Sequence, residues 1–261
     1  EATLMPFQFQ DRSLSKIGVI GSGQIGPDIA LFFAKVFAEH GVSVVVVDVA
    51  QAALDAGKAR TEKKIKKGQE SGAFKGDLAD KMIASLSWTS DQDALRGAEF
   101  VVEAATENEG LKRKIFAQLE GLCAPGAILA SNSSHLEPEV IFAESKDVSR
   151  TACIHYFFPA ERNVVVEVTP GKGTSPAVTR WLLDLYEAIG KVPVEIKSRY
   201  GYAVDPIFEG LFLAALSLAD DGVATSKEID TVAMEALGLG VGPFTAMNLT
   251  GGNPITAVGL D

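Results

Sequence analysis

Three histidines and two cysteines are scattered over the 261 residues, and only His155 stands where an imidazole could do chemistry. It lies towards the end of the apolar run Arg150-Thr-Ala-Cys-Ile-His-Tyr-Phe-Phe158, and the next run, Asn163-Val-Val-Val-Glu-Val-Thr169, carries a carboxylate at Glu167. A histidine oriented by a carboxylate is a general base poised near neutral pH. Taken alone, a single strand histidine reads first as a satisfied core residue. His135 beside Ser134 suggests nucleophilic catalysis, but neighbours on an extended chain point to opposite faces. Neither Gly-x-Ser-x-Gly nor Gly-Lys-Ser/Thr occurs, which argues against hydrolase and nucleotide-hydrolysing chemistry. The histidines and cysteines show no metal-ligand spacing, so no metal site is expected.

A second chemical stretch is Lys16-Ile-Gly-Val-Ile-Gly-Ser-Gly-Gln-Ile-Gly26, where an apolar run enters Gly21-x-Gly23-x-x-Gly26 and leaves into a helical pattern. Gly21 allows a tight turn, Gly23 lets backbone approach a pyrophosphate, and Gly26 lets the helix sit close to the strand. Gln24 and Ile25 complete this candidate cofactor loop. Twenty-two residues past Gly26, the run Ser43-Val-Val-Val-Val-Asp48 ends in a carboxylate placed to bind the two hydroxyls of an adenosine ribose. Asp48 would repel a 2′-phosphate, so the expected cofactor is NAD rather than NADP.

These residues need elements to hold them. Apolar positions from Gln24 to His40 fit an amphipathic helix ending near Gly41, and with strands at 16–20 and 43–48 they form a βαβ unit. Residues 1–15 read as an irregular lead-in, and 50–86 as polar and helical. Strands are expected at 99–105, 127–132, 150–158, 163–169 and 191–197, with helices at about 109–122 and 175–189. This alternation predicts an α/β Rossmann-type doubly wound, mostly parallel sheet over 1–198. After Ser198 the strand signal stops, Ile207 to Leu218 is strongly apolar, and Ser226-Lys-Glu-Ile starts like a capped helix. Residues 199–261 are therefore expected to be a smaller all-helical domain, whose abrupt end points to dimerisation or to sequence continuing downstream.

With 47% hydrophobic residues and 25 glycines the chain is ordinary globular material, and its net charge of −10 argues against nucleic-acid binding. No apolar run reaches the roughly 20 residues that cross a bilayer, no signal peptide is evident, and two cysteines make no disulfide framework, so no membrane partner and a cytoplasmic location are expected. Against this acidity, Lys58, Arg60, Lys63, Lys64, Lys66 and Lys67 place six cations within ten residues. Such a run is usually a solvated helix face; the sharper reading is a landing site for a polyanionic substrate tail.

Together, Gly21-Ser-Gly-Gln-Ile-Gly26, Val101-Val-Glu-Ala-Ala-Thr-Glu-Asn108, Ala130-Ser-Asn-Ser-Ser134, His155-Tyr-Phe-Phe-Pro159, Val165-Val-Glu-Val168 and Gly240-Val-Gly-Pro-Phe244 resemble the L-3-hydroxyacyl-CoA dehydrogenases, from about residue 16 to 250. The resemblance implies that His155 takes the proton of a substrate 3-hydroxyl as hydride leaves for the nicotinamide, with Glu167 orienting the ring. It makes Ser134 a hydrogen-bond donor to the reacting oxygen, and lines the nicotinamide end with Glu107 and Lys112. It also sets the cationic run, Lys58 and Lys64 included, against the coenzyme A part of the substrate. Implied too are an acyl-CoA substrate, a cleft site between the two domains, and a homodimer through the helical domain.

Two positions depart from the family. Where it reads His-Phe-Phe-Asn-Pro this chain has Phe158, and its Pro-Gly-Phe-Ile-Val-Asn-Arg becomes Tyr200-Gly-Tyr-Ala-Val-Asp205-Pro206. Asp205 thus replaces a neutral amide near the reacting carbon, where an ionised carboxylate would oppose a developing alkoxide. Alternative expectations are a dehydrogenase of the same superfamily for a non-CoA hydroxy substrate, or an NAD-binding protein or domain of a multifunctional chain that has lost catalysis.

Overall fold

A computed structural model describes residues 6–249, so the first five residues of the lead-in and residues 250–261 of the helical segment lie outside the description. The chain divides into two compact units, Glu1–Ser198 and Arg199–Asp261.

The lead-in is not irregular: β1 (Phe7–Phe9) and β2 (Arg12–Leu14) pair antiparallel, with Phe7 opposite Leu14. This hairpin is held by apolar contact, since Phe9 packs edge-on against Trp181 and Leu14 is buried. The chain then runs through β3 (Lys16–Ile20), α1 (Gly26–Phe37), β4 (Ser43–Val47), α2 (Gln51–Glu70), α3 (Leu78–Ser85) and β5 (Leu86–Thr89). It continues with β6 (Phe100–Glu103), α4 (Glu109–Leu122), β7 (Ile128–Ser131), α5 (Pro138–Ile141), β8 (Thr151–Tyr156), β9 (Val165–Pro170), α6 (Pro176–Ala188) and β10 (Val192–Glu195).

Eight of these strands form one sheet in the order β10-β9-β8-β7-β6-β3-β4-β5. Every neighbouring pair is parallel except β8 with β9, which run antiparallel. The central strands are nearly continuous runs of Val, Ile and Ala because helices cover them on both faces. The Rossmann-type, mostly parallel expectation holds. Edge strand β5 starts at Leu86, where the stretch expected to be polar and helical ends, and is not among the strands expected from the sequence. Because β3 connects outward to β4 on one side while β6 flanks it on the other, the strand order reverses at β3 and β6. Ligands of open α/β sheets bind beyond the strand carboxyl ends at such a point.

The main core joins α1 and α6 to the sheet. Phe33 meets Phe100 at 5.9 Å, and Phe100 meets Trp181 at 6.2 Å, both edge-to-face. Local signals set the helix starts: Asn108 accepts from the Leu111 N–H at α4, and Ser175 accepts from Ala177 N–H at α6, just before Pro176. A 3-10 turn, Ala38–His40, extends α1 and ends at Gly41, which takes the left-handed conformation at φ +70°.

The second unit contains α7 (Val204–Asp220), α8 (Ser226–Leu237) and α9 (Pro243–Asn248). The cap of α8 is Thr225 rather than Ser226, in a capping box with Glu228. Asp230 on α8 accepts from the N–H groups of Phe244 and Thr245 and thereby caps the first turn of α9. Among the described residues no helix is long and apolar enough to cross a membrane.

Candidate active site

The glycine turn leaves β3 at the switch point. Gly21 has φ +99°, and a Cβ there would stand 2.5 Å from the carbonyl oxygen of Ala104, just past β6. A Cβ on Gly26 would meet the Gly21 carbonyl oxygen at 1.9 Å, so α1 can begin there only on glycine. Gly23 differs, because nothing lies within 4 Å of a Cβ built on it. Gln24 is exposed and Ile25 half-buried, and α1 begins with no side-chain cap on Ile25. Asp48 follows β4 and fixes the turn from below: Oδ2 accepts the Ser22 N–H at 2.7 Å and Oδ1 accepts the Ala50 N–H at 2.8 Å. A carboxylate has about four acceptor sites, so two remain for ribose hydroxyls.

Beyond β6 and β7 a buried network lies beside this turn. Lys112, 1% exposed on α4, places Nζ 2.7 Å from Glu103 and 3.3 Å from Glu107. Glu103 also accepts from Ser131 Oγ at 2.6 Å and from the Ala105 N–H at 2.7 Å. Glu107 accepts from Ser133 Oγ and from the N–H groups of His135 and Leu136. Burial pushes the Lys112 ammonium down, but Glu103 and Glu107 outweigh it and hold Lys112 above the ordinary lysine value. Burial likewise pushes Glu107 up, yet the Lys112 charge, Ser133 and two backbone donors hold it below the ordinary glutamate value. The loop 133–136 is thereby clamped around one carboxylate. Ser134 stands half-buried in that loop, and its hydroxyl makes no hydrogen bond within the described residues.

His155 and Glu167 meet because β8 and β9 are antiparallel: the register sets them directly opposite, on the same face. His155 Nδ1 lies 2.9 Å from Glu167 Oε2, with the residues 5% and 3% exposed. Asn132, beyond β7, accepts the Tyr156 N–H on its side-chain oxygen at 2.9 Å and so ties the serine loop to the residue after His155. The departing residue Phe158 lies just past β8, 40% exposed, its carbonyl accepting from Asn163 Nδ2 at 2.8 Å. Asp205 sits in the first turn of α7, in the second unit.

The cationic run resolves into different roles. Lys58 is largely exposed, with Glu62 3.9 Å away. Lys64 does not offer the free ammonium that a substrate tail would require: Nζ lies 2.6 Å from Asp28 on α1 and 2.7 Å from Glu161 beyond β8. Lys63, Lys66 and Lys67 face solvent. Among the described residues no group of three or more His, Cys, Asp or Glu side chains could hold a metal.

Glu103, Asn132 and Ser133, which position this site, stand within the quoted family motifs but have no role of their own among the expectations. Their signal was present, since each is a polar residue at or just past the carboxyl end of an apolar strand. Asp28 and Glu161 left no such signal, lying 36 and 97 residues from Lys64.

A glycine turn at the switch point of a mostly parallel sheet, with an acidic residue ending the next strand, defines a dinucleotide-binding α/β protein. Residues 16–199 match the NAD-binding domain of 3-hydroxyacyl-CoA dehydrogenase, and residues 201–258 match its C-terminal domain. The chain belongs to the 3-hydroxyacyl-CoA dehydrogenase family, and the cofactor of its first domain is NAD. It is 31% identical over 243 residues to 3-hydroxyadipyl-CoA dehydrogenase of Escherichia coli (strain K12), covering 92% of this chain and 50% of that protein. To 3-hydroxybutyryl-CoA dehydrogenase of Clostridioides difficile it is 30% identical over 247 residues, covering 93% and 85%. The crystal structure of FadB2 from M. tuberculosis superposes with a TM-score of 0.87 at 27% identity, covering 95% of this chain and 87% of that one. The chain thus spans half the length of the E. coli relative and most of the length of the other two.

Proposed function

We propose that this chain is an NAD-dependent oxidoreductase that interconverts an L-3-hydroxyacyl-CoA and a 3-ketoacyl-CoA. The observation that carries this reading is the His155–Glu167 pair, 2.9 Å apart, in a member of this family. When bound, NAD supplies the hydride acceptor, and as NADH the donor. A neutral His155 that donates Nδ1–H to Glu167 has its lone pair on Nε2. His155 takes the 3-hydroxyl proton on Nε2 as the carbon-bound hydrogen departs with its electron pair, and Glu167 stabilises the imidazolium that forms. In reduction, His155 returns that proton to the developing alkoxide. Ser134 donates a hydrogen bond to the same oxygen. Gly21, Gly23, Gln24, Ile25 and Gly26 face the diphosphate, Asp48 holds the adenosine ribose, and Glu107 and Lys112 border the nicotinamide end. Of the two lysines expected to meet coenzyme A, Lys58 keeps that role, while Lys64 clamps α2 to α1.

The reading extends to a homodimer through the helical unit. Ile207, Leu213, Val232 and Leu237 on α7 and α8 are each more than half exposed, and a second copy would cover them. Cys123 and Cys153 are buried and form no disulfide, as suits a reducing cytoplasm.

A second reading, a non-CoA 3-keto acid as substrate, is favoured by Phe158, a half-exposed phenyl ring where relatives carry an amide. One assay separates the two: NADH with acetoacetyl-CoA and, in parallel, with free 3-keto acids, following NADH loss. Turnover confined to the thioester supports the first reading and turnover of the free acids the second. Saturable NADH binding with no turnover of any ketone would sink both.

A further inference from the structure

One face of α2 lies against the glycine turn. Ala53, Gly57, Arg60 and Lys64 recur at spacings of four, three and four, which sets them in one stripe along the helix. Each meets the turn or the start of α1. Ser22 Oγ donates to the Ala53 carbonyl at 2.9 Å, and a Cβ on Gly57 would stand 2.2 Å from Ser22 Oγ and 2.9 Å from Pro27. One helical turn on, Arg60 Nη2 donates to the Gly23 carbonyl at 2.5 Å, and beyond it Lys64 meets Asp28. Helix α2 is therefore docked on the phosphate turn itself, and Arg60 stands at its rim.

The two cations of this stripe differ in what they have left to give. Lys64 is neutralised by Asp28 and Glu161. Arg60 has no carboxylate: among the described residues the Gly23 carbonyl is its only hydrogen-bond partner. A guanidinium carries five N–H donors in a planar fork, so four remain. Beside it, nothing lies within 4 Å of a Cβ built on Gly23, and the first turn of α1 lacks a side-chain cap. A full positive charge with unused donors thus flanks the place where backbone N–H groups and a helix start favour an anion.

Resting on the reading of this turn as an NAD site, we propose that Arg60 is a diphosphate-binding residue, its guanidinium bonding the pyrophosphate oxygens while the Gly23 carbonyl holds it in place. The planar fork suits this double duty, because one edge serves the carbonyl while the remaining donors face the phosphates. An ammonium at the same place would supply the charge but lack that fixed geometry.

Calorimetric titration of the full chain with NAD, ADP and adenosine, at low and at high salt, tests the assignment. Arg60→Ala should weaken NAD and ADP about tenfold, leave adenosine unchanged, and lose less of its effect's size at low salt than at high. Arg60→Lys should recover part of the loss. Equal weakening of all three ligands would mean that Arg60 merely supports the turn, and would overturn the proposal. So would ADP binding by the unmodified chain that Arg60→Ala leaves intact, in which case the NAD site itself stands. If the unmodified chain bound neither NAD nor ADP, the NAD site would fall and the assignment with it.

Discussion

Glu167 lies directly across the antiparallel β8–β9 pair from His155, its Oε2 2.9 Å from Nδ1, and both side chains are buried. A cross-strand pair is fixed by register rather than by flexible side chains, so the imidazole arrives oriented before substrate does. His155→Ala should lower kcat by roughly 10²- to 10⁴-fold, while calorimetric affinity for NAD stays nearly unchanged. Glu167→Gln keeps the shape and loses the charge, and should lower kcat in the same direction. Undiminished turnover in His155→Ala would remove it from the mechanism.

The second pairing concerns stability. Lys112 and Glu103 are almost completely buried, 2.7 Å apart, and removing one charge strands the other in a dry interior. Lys112→Met, which keeps the stem, should lower unfolding stability by about 3–5 kcal/mol, read from the urea midpoint. The double variant Lys112→Met/Glu103→Gln should lose less than the single one. A double variant less stable than Lys112→Met would show that the stranded charge is not what costs stability.

Why some of this was visible in the amino-acid sequence and some was not follows from range. The glycine turn, Asp48 and the buried apolar parallel strands are local patterns of period and residue type. His155 and Glu167 were legible because each sits in an apolar run long enough to read as a strand, and two such runs adjoin. β5, Leu86-Ser-Trp-Thr89, is an edge strand only partly buried, with Ser87 and Thr89 breaking the apolar run that marks β6 and β7, which are no longer than it is. The three-residue strands of the β1–β2 hairpin fail for the same reason. Lys64 looked like a free cation because its partners on α1 and beyond β8 come near it only through the fold. The antiparallel turn of β9 was likewise invisible, although it alone sets the His155–Glu167 register.

Asp28 makes stability depend on pH. Burial pushes its carboxyl up from 3.8 to about 6, with the Lys64 hydrogen bond opposing and the Glu161 charge adding. The folded chain therefore holds that proton more tightly than the unfolded one. The stabilisation from Asp28 is fully present below about pH 4 and is lost as pH rises through about 6. Glu161 works oppositely: burial pushes it up, but Lys64 holds it below its ordinary 4.5, so its stabilisation is lost as pH falls below that value. Asp28→Asn isolates the first contribution. The stability difference between variant and parent should move in the variant's favour, by up to about 3 kcal/mol, between about pH 4 and 7. Urea unfolding at several pH values reads it, and a flat difference would refute the raised carboxyl.

By the resemblance to the family, Asp205 takes the place of an asparagine. If its carboxylate opposes negative charge growing on the substrate oxygen, Asp205→Asn should raise kcat for 3-ketoacyl-CoA reduction, by up to about tenfold for 1.4 kcal/mol of relieved repulsion. The expected gain lies in kcat rather than in affinity for NADH. A fall in kcat would assign the carboxylate a role of its own.

The two glycines at the helix end of the turn should separate folding from cofactor binding. At Gly26 an added methyl would lie 1.9 Å from the Gly21 carbonyl oxygen, backbone against backbone, with no side chain able to yield. Gly26→Ala should therefore lose stability by about 1–3 kcal/mol or more, and NAD affinity with it, because the turn itself must open. Nothing lies within 4 Å of a Cβ built on Gly23, and its φ is outside the left-handed range, so alanine fits the protein without strain. Gly23→Ala should match or slightly exceed the parent in stability, by about 0.4–1 kcal/mol from the stiffer unfolded chain. Its NAD affinity should nonetheless fall, because the methyl would occupy space that the diphosphate needs. Thermal denaturation and NAD titration on the same two variants give the comparison. Undiminished NAD binding in Gly23→Ala would show that the open space above Gly23 is not where the phosphates lie.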